Sequence, residues 1–271
     1  MYGLLGHPLS HSLSPQVHAL LAETLGIPMD YRLFDTGPQQ LENVVPRLLQ
    51  LDGFNITIPY KQKIIPWLAR LDRTAADYQS VNTVKPSAEG PVGYNTDCLG
   101  FLRALETTKG LREVYIIGAA GGVGRMFSLE MARLGANVTL GVRPSSWEAA
   151  ERLAAEIRSR YGVRAAAVSP EQAPGQEFDL LINASPVGMY PKTEGCPVSD
   201  ALIDACRSVF DCIYNPKKTL LIRRAEALHK PTRGGMRMLI WQAAAAQEIW
   251  LDVSFSEQQV SLVEEKMAQM L

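Results

Sequence analysis

Residues 112–144, REVYIIGAAGGVGRMFSLEMARLGANVTLGVRP, constrain the fold more than any other part of the chain. A β-rich run ends at Ile117, and Gly118, Gly121, Gly122 and Gly124 follow it. A helical-period segment and a second β-rich run then close the unit. Strand, glycine turn, helix and strand in that order start a doubly wound parallel sheet, and the turn is where such sheets meet a dinucleotide. Glycines let the backbone approach a pyrophosphate, while the helix N-terminus offers N–H donors. The spacing departs from G-x-G-x-x-G because Ala120 holds the usual middle glycine position, so a ligand-free turn stays as the alternative. The second strand runs into Arg143 with no acid before Glu148. An arginine there suits a 2′-phosphate and an acid a ribose hydroxyl, which predicts NADP, with NAD or a merely solvated Arg143 as alternatives.

The same alternation runs through the rest of the chain. Strands are expected at 2–6, 31–35, 53–58, 81–85 and 91–94, with amphipathic helices at 15–25 and 38–51. A linking helix is expected at 99–108. Further strands follow at 164–168, 178–185 and 208–214, with helices at 146–160 and 217–229. The tail from 235 is helical: Ser256 and Gln259 form a capping-box signature, and Val260, Val263 and Met267 keep a helical stripe. The fold class is therefore α/β, and 271 residues suit two domains. Lysine plus arginine (27) nearly cancels aspartate plus glutamate (28), which argues against a nucleic-acid partner. Four cysteines without metal spacing read as free thiols. With no basic leader and no apolar run near the roughly 20 residues of a span, the expectation is a cytoplasmic protein with no membrane partner.

A nicotinamide enzyme that moves hydride from an alcohol also moves the hydroxyl proton, so it needs a general acid or base. NITIPYK (55–61) brings Lys61 to the end of a strand, where open α/β sheets bind ligands; taken alone, it equally reads as a surface charge. Asp97, between a strand and a helix, reads as a second candidate or as an N-cap. Asn82 reads as a turn residue. Ser12 and Ser14, just before Pro15 opens a helix, can cap backbone N–H groups or hold an anion. His7, His11 and His18 suggest a metal only weakly, because Pro8 and Pro15 separate them and no cysteine or acid joins them; no metal is expected. Nothing matches a nucleophile-elbow hydrolase.

Taken in order, these stretches resemble the shikimate dehydrogenase family over nearly the whole chain: GHPLSHSLSPQVH (6–18), NITIPYK (55–61), VNT (81–83), YNTDCLG (94–100), INASPVGM (182–189), DCIYNPKKTLLIRRA (211–225) and GGMRMLIWQAA (234–244). The resemblance implies reversible NADP-dependent reduction of 3-dehydroshikimate to shikimate, on the route to aromatic amino acids. A quinate or broader cyclitol-acid dehydrogenase, using NAD, is the alternative. It implies Lys61 and Asp97 as the catalytic pair, with Ser12, Ser14, Thr57, Asn82, Tyr214 and Gln242 binding substrate. Gly118, Ala119, Gly121, Gly122, Val123, Arg143, Ser185, Cys212, Gly235 and Met238 would bind the cofactor. The implied domains are 1–100 plus 236–271 for substrate and catalysis, with the C-terminal helices packing back on the first domain. A Rossmann-like cofactor domain takes 101–235, and the protein is expected as a monomer or homodimer. Val142-Arg143-Pro144 stands where the family commonly has Asn-Arg-Thr, the glycine loop is one residue longer, and Arg237 stands where glycine is frequent. A non-catalytic sensor relative would lack Lys61 or Asp97, and both are present.

Overall fold

Short runs rich in valine, isoleucine and leucine, spaced by amphipathic segments, build one β-sheet in each of two units. In the computed structural model, which describes residues 1–170 and 175–270, these units are Met1–Gly100 with Leu239–Met270, and Phe101–Met238.

The first unit contains, in chain order, β1 (Tyr2–Gly6), α1 (Ser14–Thr24), β2 (Tyr31–Asp35), α2 (Leu41–Leu48), β3 (Gly53–Ile56), β4 (Arg70–Leu71), α3 (Arg73–Tyr78), β5 (Thr83–Lys85) and β6 (Val92–Tyr94). The sheet order is β2-β1-β3-β5-β6-β4. β1 runs parallel to β2 and β3, and β5 is antiparallel to both β3 and β6. Leu5, Phe54, Ile56, Tyr60 and Ile64 form its buried core. Helix α4 (Thr96–Ala104) carries the chain into the second unit.

There follow β7 (Glu113–Ile117), α5 (Gly122–Arg133), β8 (Asn137–Gly141), α6 (Trp147–Tyr161), β9 (Ala165–Val168), β10 (Leu180–Asn183), α7 (Asp200–Asp204), β11 (Val209–Asp211), α8 (Leu220–Ala227) and β12 (Thr232–Gly234). The strands all pair in parallel in the order β12-β11-β10-β7-β8-β9. That is the doubly wound order, and the direction of winding reverses between β7 and β10, the usual ligand position in such sheets.

Helix α9 (Gly235–Leu251) returns the chain to the first unit at Leu239, and α10 (Glu257–Met270) packs on α1. The capping box closes as the sequence predicts. Ser256 N–H donates to Gln259 Oε1 (3.0 Å) and Gln259 N–H donates to Ser256 Oγ (3.3 Å), while Val260, Val263 and Met267 are fully buried.

Several boundaries differ from the expectation. The linking helix runs over 96–104, not 99–108, because the Asn95 side chain accepts from the N–H groups of Asp97 (3.1 Å) and Cys98 (3.4 Å) and starts it early. β3 stops at Ile56, β10 covers only 180–183 and β11 only 209–211. α8 starts at Leu220 because Thr219 Oγ1 accepts from Ile222 N–H (3.3 Å). The tail is two helices, broken at Asp252 with φ 56. β4, α3, α7 and β12 are too short to show a period, and the sequence does not announce them. Among the described residues no helix is long and apolar enough to cross a membrane.

Candidate active site and nucleotide cavity

Two backbone hydrogen bonds bring the candidate residues of the first unit together. Ile56 N–H donates to the Asn82 carbonyl, and Val81 N–H donates to the Lys61 carbonyl, both at 2.8 Å. The loop after β3 is thereby fixed to the segment before β5. Lys61 Nζ donates to Asp97 Oδ2 at 2.6 Å, with the two side chains 24% and 16% exposed. Asp97 Oδ1 accepts from Asn82 Nδ2 at 2.9 Å. The N-cap reading of Asp97 is thus corrected: Asn95 caps α4, and Asp97 lies in its first turn, free to bond Lys61. The Asn82 side chain does more than fill a turn, because Thr96 N–H donates to its Oδ1 (2.7 Å) and so points its NH₂ at Asp97. A sheltered, bonded lysine–carboxylate pair can take up and return a proton without leaving its position.

Of the two serines, Ser12 satisfies a backbone N–H at the start of α1. Leu13 occupies the N-cap with no side-chain bond, and Ser12 Oγ accepts from Ser14 N–H (3.3 Å). Two half-buried hydroxyls beside a helix start whose N-cap residue, Leu13, brings no side-chain bond suit an anion. Thr57 follows β3 directly, its N–H donating to the Leu5 carbonyl (2.8 Å). Gln242, half-buried on α9, donates to the Leu239 carbonyl of its own helix (2.9 Å). Tyr214 belongs to the second unit, past β11, where burial raises its phenol pKa.

In the second unit, a cavity of about 360 Å³ opens at the ends of β7 and β8. Of the residues expected at the cofactor, Gly118, Gly121, Arg143 and Ser185 line it, joined by Ala120 and Ser146, which sequence reasoning missed. The glycines differ in their reasons. Gly118 has φ +74, and a Cβ there would stand 2.9 Å from Ser185 N. A Cβ on Gly124 would meet the Gly118 carbonyl oxygen at 2.2 Å, so helix and strand pack through it. A Cβ on Gly122 would meet nothing within 4 Å, and Gly121 only the Gly118 oxygen at 3.3 Å. The protein's own packing does not demand glycine at 122; an uncapped α5 that starts there leaves space and N–H donors for a phosphate. The residues therefore fit a dinucleotide, with exposed Arg143 beside the cavity.

Ser185 is held from below. Its N–H (3.0 Å) and hydroxyl (2.7 Å) donate to Asn183 Oδ1, and Asn183 Nδ2 donates to Asp211 Oδ1 (3.0 Å). Asp211 Oδ2 accepts from Thr219 (2.6 Å), and burial pushes this carboxyl up to about 6. Cys212, Gly235 and Met238 are not among the residues that line the cavity, nor are Ala119, Gly122 and Val123, which lie close along the chain to the lining residues Gly118, Ala120 and Gly121. A Cβ on Gly235 would overlap the Cys212 carbonyl oxygen at 2.0 Å, and burial raises the Cys212 thiol to about 12. Among the described residues no cluster of three or more His, Cys, Asp or Glu could hold a metal ion.

Residues 4–84 match the family described as the shikimate dehydrogenase substrate binding domain. A shikimate dehydrogenase (NADP(+)) of Methanopyrus kandleri is 38% identical over 260 residues, covering 92% of this chain and 89% of its own. The shikimate 5-dehydrogenase of Thermus thermophilus, solved with NADP(H) and shikimate, superposes with a TM-score of 0.84 at 30% identity, over 98% of each chain. A quinate dehydrogenase from Corynebacterium glutamicum, solved with NAD, gives 0.85 at 30% identity, over 99% of this chain and 98% of its own.

Proposed function

The chain belongs to the shikimate dehydrogenase family, and on that premise we propose that it oxidises shikimate, and reduces 3-dehydroshikimate, with NADP as partner. The observation that carries the reading is the 2.6 Å bond between Lys61 and Asp97, with Asn82 on the other carboxylate oxygen. NADP, when bound, supplies the acceptor or donor of hydride at the nicotinamide ring. As hydride leaves the carbinol carbon, the Lys61–Asp97 pair takes the proton of the same hydroxyl, leaving a ketone, and returns it in the reverse direction. Ser12 and Ser14 receive the substrate carboxylate at the N-terminal end of α1. Thr57, Asn82, Tyr214 and Gln242 bind the remaining polar groups. On the cofactor side, Gly121 and Gly122 admit the pyrophosphate, Arg143 takes the 2′-phosphate, and Gly118, Ser185 and Ser146 shape the wall. Ala119, Val123, Cys212, Gly235 and Met238 complete the cofactor set. The reading carries with it a cytoplasmic enzyme of small molecules, working as a monomer or homodimer.

A second reading, a quinate dehydrogenase using NAD, is favoured by one observation: the two immediate neighbours of Arg143, Val142 and Pro144, are apolar. Initial rates with shikimate or quinate, each with NADP⁺ or NAD⁺, separate the two. We expect shikimate with NADP⁺ to be turned over fastest and Lys61→Ala to lower that rate by at least about 10²-fold. Faster turnover of quinate with NAD⁺ would move the assignment to the second reading.

A further inference from the structure

Behind the Lys61–Asp97 pair lies a set of buried polar side chains that no part of the proposed chemistry uses. Asn55, on β3, is 5% exposed, and Thr83, on β5, is fully buried. Asn55 Nδ2 donates to Thr83 Oγ1 at 2.9 Å and to the Asn82 carbonyl at 3.1 Å. Thr83 Oγ1 donates in turn to Asn82 Oδ1 at 3.1 Å and stands 3.2 Å from Thr96 Oγ1. On the other side, the Tyr31 hydroxyl donates to Asn55 Oδ1 at 2.8 Å.

The directions of these bonds agree from end to end. Tyr31 gives its proton to the Asn55 carbonyl oxygen, which forces the Asn55 NH₂ toward Thr83. Thr83 has one proton to give, and Asn82 Oδ1 receives it beside the Thr96 N–H. A flip of the Asn82 amide would place its NH₂ against the Thr96 N–H and remove the acceptor that Thr83 uses, so its Nδ2 stays on Asp97.

Resting on the proposed role of Lys61 and Asp97, we infer that Thr83 and Asn55 are positioning residues of the proton-transfer pair, acting through Asn82, and that Tyr31 fixes their orientation. The chain of bonds is electrically neutral throughout. Burial raises the Tyr31 phenol well above its ordinary value, so it remains a donor. His18, stacked on Tyr31 with ring centroids 4.2 Å apart, is pushed down to about 3 by burial and stays uncharged. Neither ring therefore brings a charge to the polar chain, which keeps its direction as pH changes.

The test uses Thr83→Val, which keeps the volume and removes the hydroxyl, and Thr83→Ser, which restores it. Shikimate affinity is spread over several groups, whereas hydride transfer depends on one pair. Thr83→Val is therefore expected to slow single-turnover hydride transfer by about tenfold, since small displacements of reacting groups cost rates of that order, and to change the shikimate Kd less than about threefold. Thr83→Ser should recover most of the rate. Tyr31→Phe is measured alongside, in case Thr83→Val fails to fold, and should give a smaller loss of the same kind. Lys61→Ala is the reference. If Lys61→Ala is inactive while folded Thr83→Val or Tyr31→Phe keeps the parent rate within about twofold, the positioning role is overturned and the catalytic reading stands. If Lys61→Ala retains activity, the catalytic reading itself fails.

Discussion

Asp211 makes a buried carboxylate behave unlike a surface one. It accepts from Asn183, from Ile213 N–H (3.1 Å) and from Thr219, yet burial outweighs these bonds and lifts it from 3.8 to about 6. Folded-state affinity for the proton then exceeds that of the unfolded chain, whose carboxyl titrates near 3.8. Below that value both states are protonated, so Asp211 has no effect on relative stability. Between about pH 4 and 6 the unfolded chain sheds the proton first, and its contribution turns destabilising by on the order of 3 kcal/mol by about pH 6, staying constant above. Urea unfolding of the parent and of Asp211→Asn from about pH 4 to 7 checks this: the stability of the parent relative to the variant should fall as pH rises to about 6. A flat difference would mean that the carboxyl titrates normally. At this scale the sequence is a poor guide. Lys61 follows a proline as countless surface lysines do, and what distinguishes it is a bond to a residue 36 positions away. Asn55 and Thr83 belong to the NITIPYK and VNT stretches, which do not say what they bond, and Tyr31 lies in neither; only the folded sheet places their polar atoms in line.

At the scale of elements, the glycine turn is legible because it must satisfy local rules within a dozen residues, and the strand, turn, helix and strand all form where their sequence predicts. Among the short elements, β4, α3, α7 and β12 carry no apolar run that the sequence reading picks out and stay hidden, whereas β5 and β6 are no longer than β12 yet lie inside expected strands. The start of α4 escapes a reading of hydrophobic stripes because a side chain, Asn95, sets it. The glycines of the turn provide a paired test of structure against ligand binding. Gly124→Ala drives a methyl to 2.2 Å from a backbone oxygen that has no rotamer to give, and should cost about 1–3 kcal/mol in chemical denaturation. Gly122→Ala meets nothing in the protein and should be neutral or stabilising by up to about 1 kcal/mol, as Ala for Gly in a helix commonly is. Its effect should appear instead as an NADP affinity weakened by about tenfold, measured by nicotinamide fluorescence, because the added methyl fills the space kept for a phosphate. Equal NADP binding by Gly122→Ala and the parent would remove the turn from the cofactor site.

For the whole molecule, the division of labour follows from where each core lies. The first unit holds the Lys61–Asp97 pair and the Ser12–Ser14 entrance on its own sheet, and the second holds the nucleotide cavity on another. Each unit has its own buried hydrophobic cluster, so each can respond to a ligand as a body with its own local stability. Ligand binding stabilises the structure it contacts in proportion to occupancy, by about 2.7 kcal/mol at a hundredfold excess over Kd, which slows exchange through local opening about a hundredfold. Hydrogen exchange on the intact protein can therefore map the two sites separately. With NADP alone at that excess, amides 118–125 and 141–146 should be protected, while those of 12–18 and 55–61 exchange as in the free protein. With shikimate alone the pattern should reverse, and protection should extend to 80–84 and 95–98 through the bonds that join Asn82 to Asp97. Protection of 55–61 by NADP without shikimate would show that the cofactor stabilises the Lys61 loop directly, and the separation of the two sites would then have to be given up.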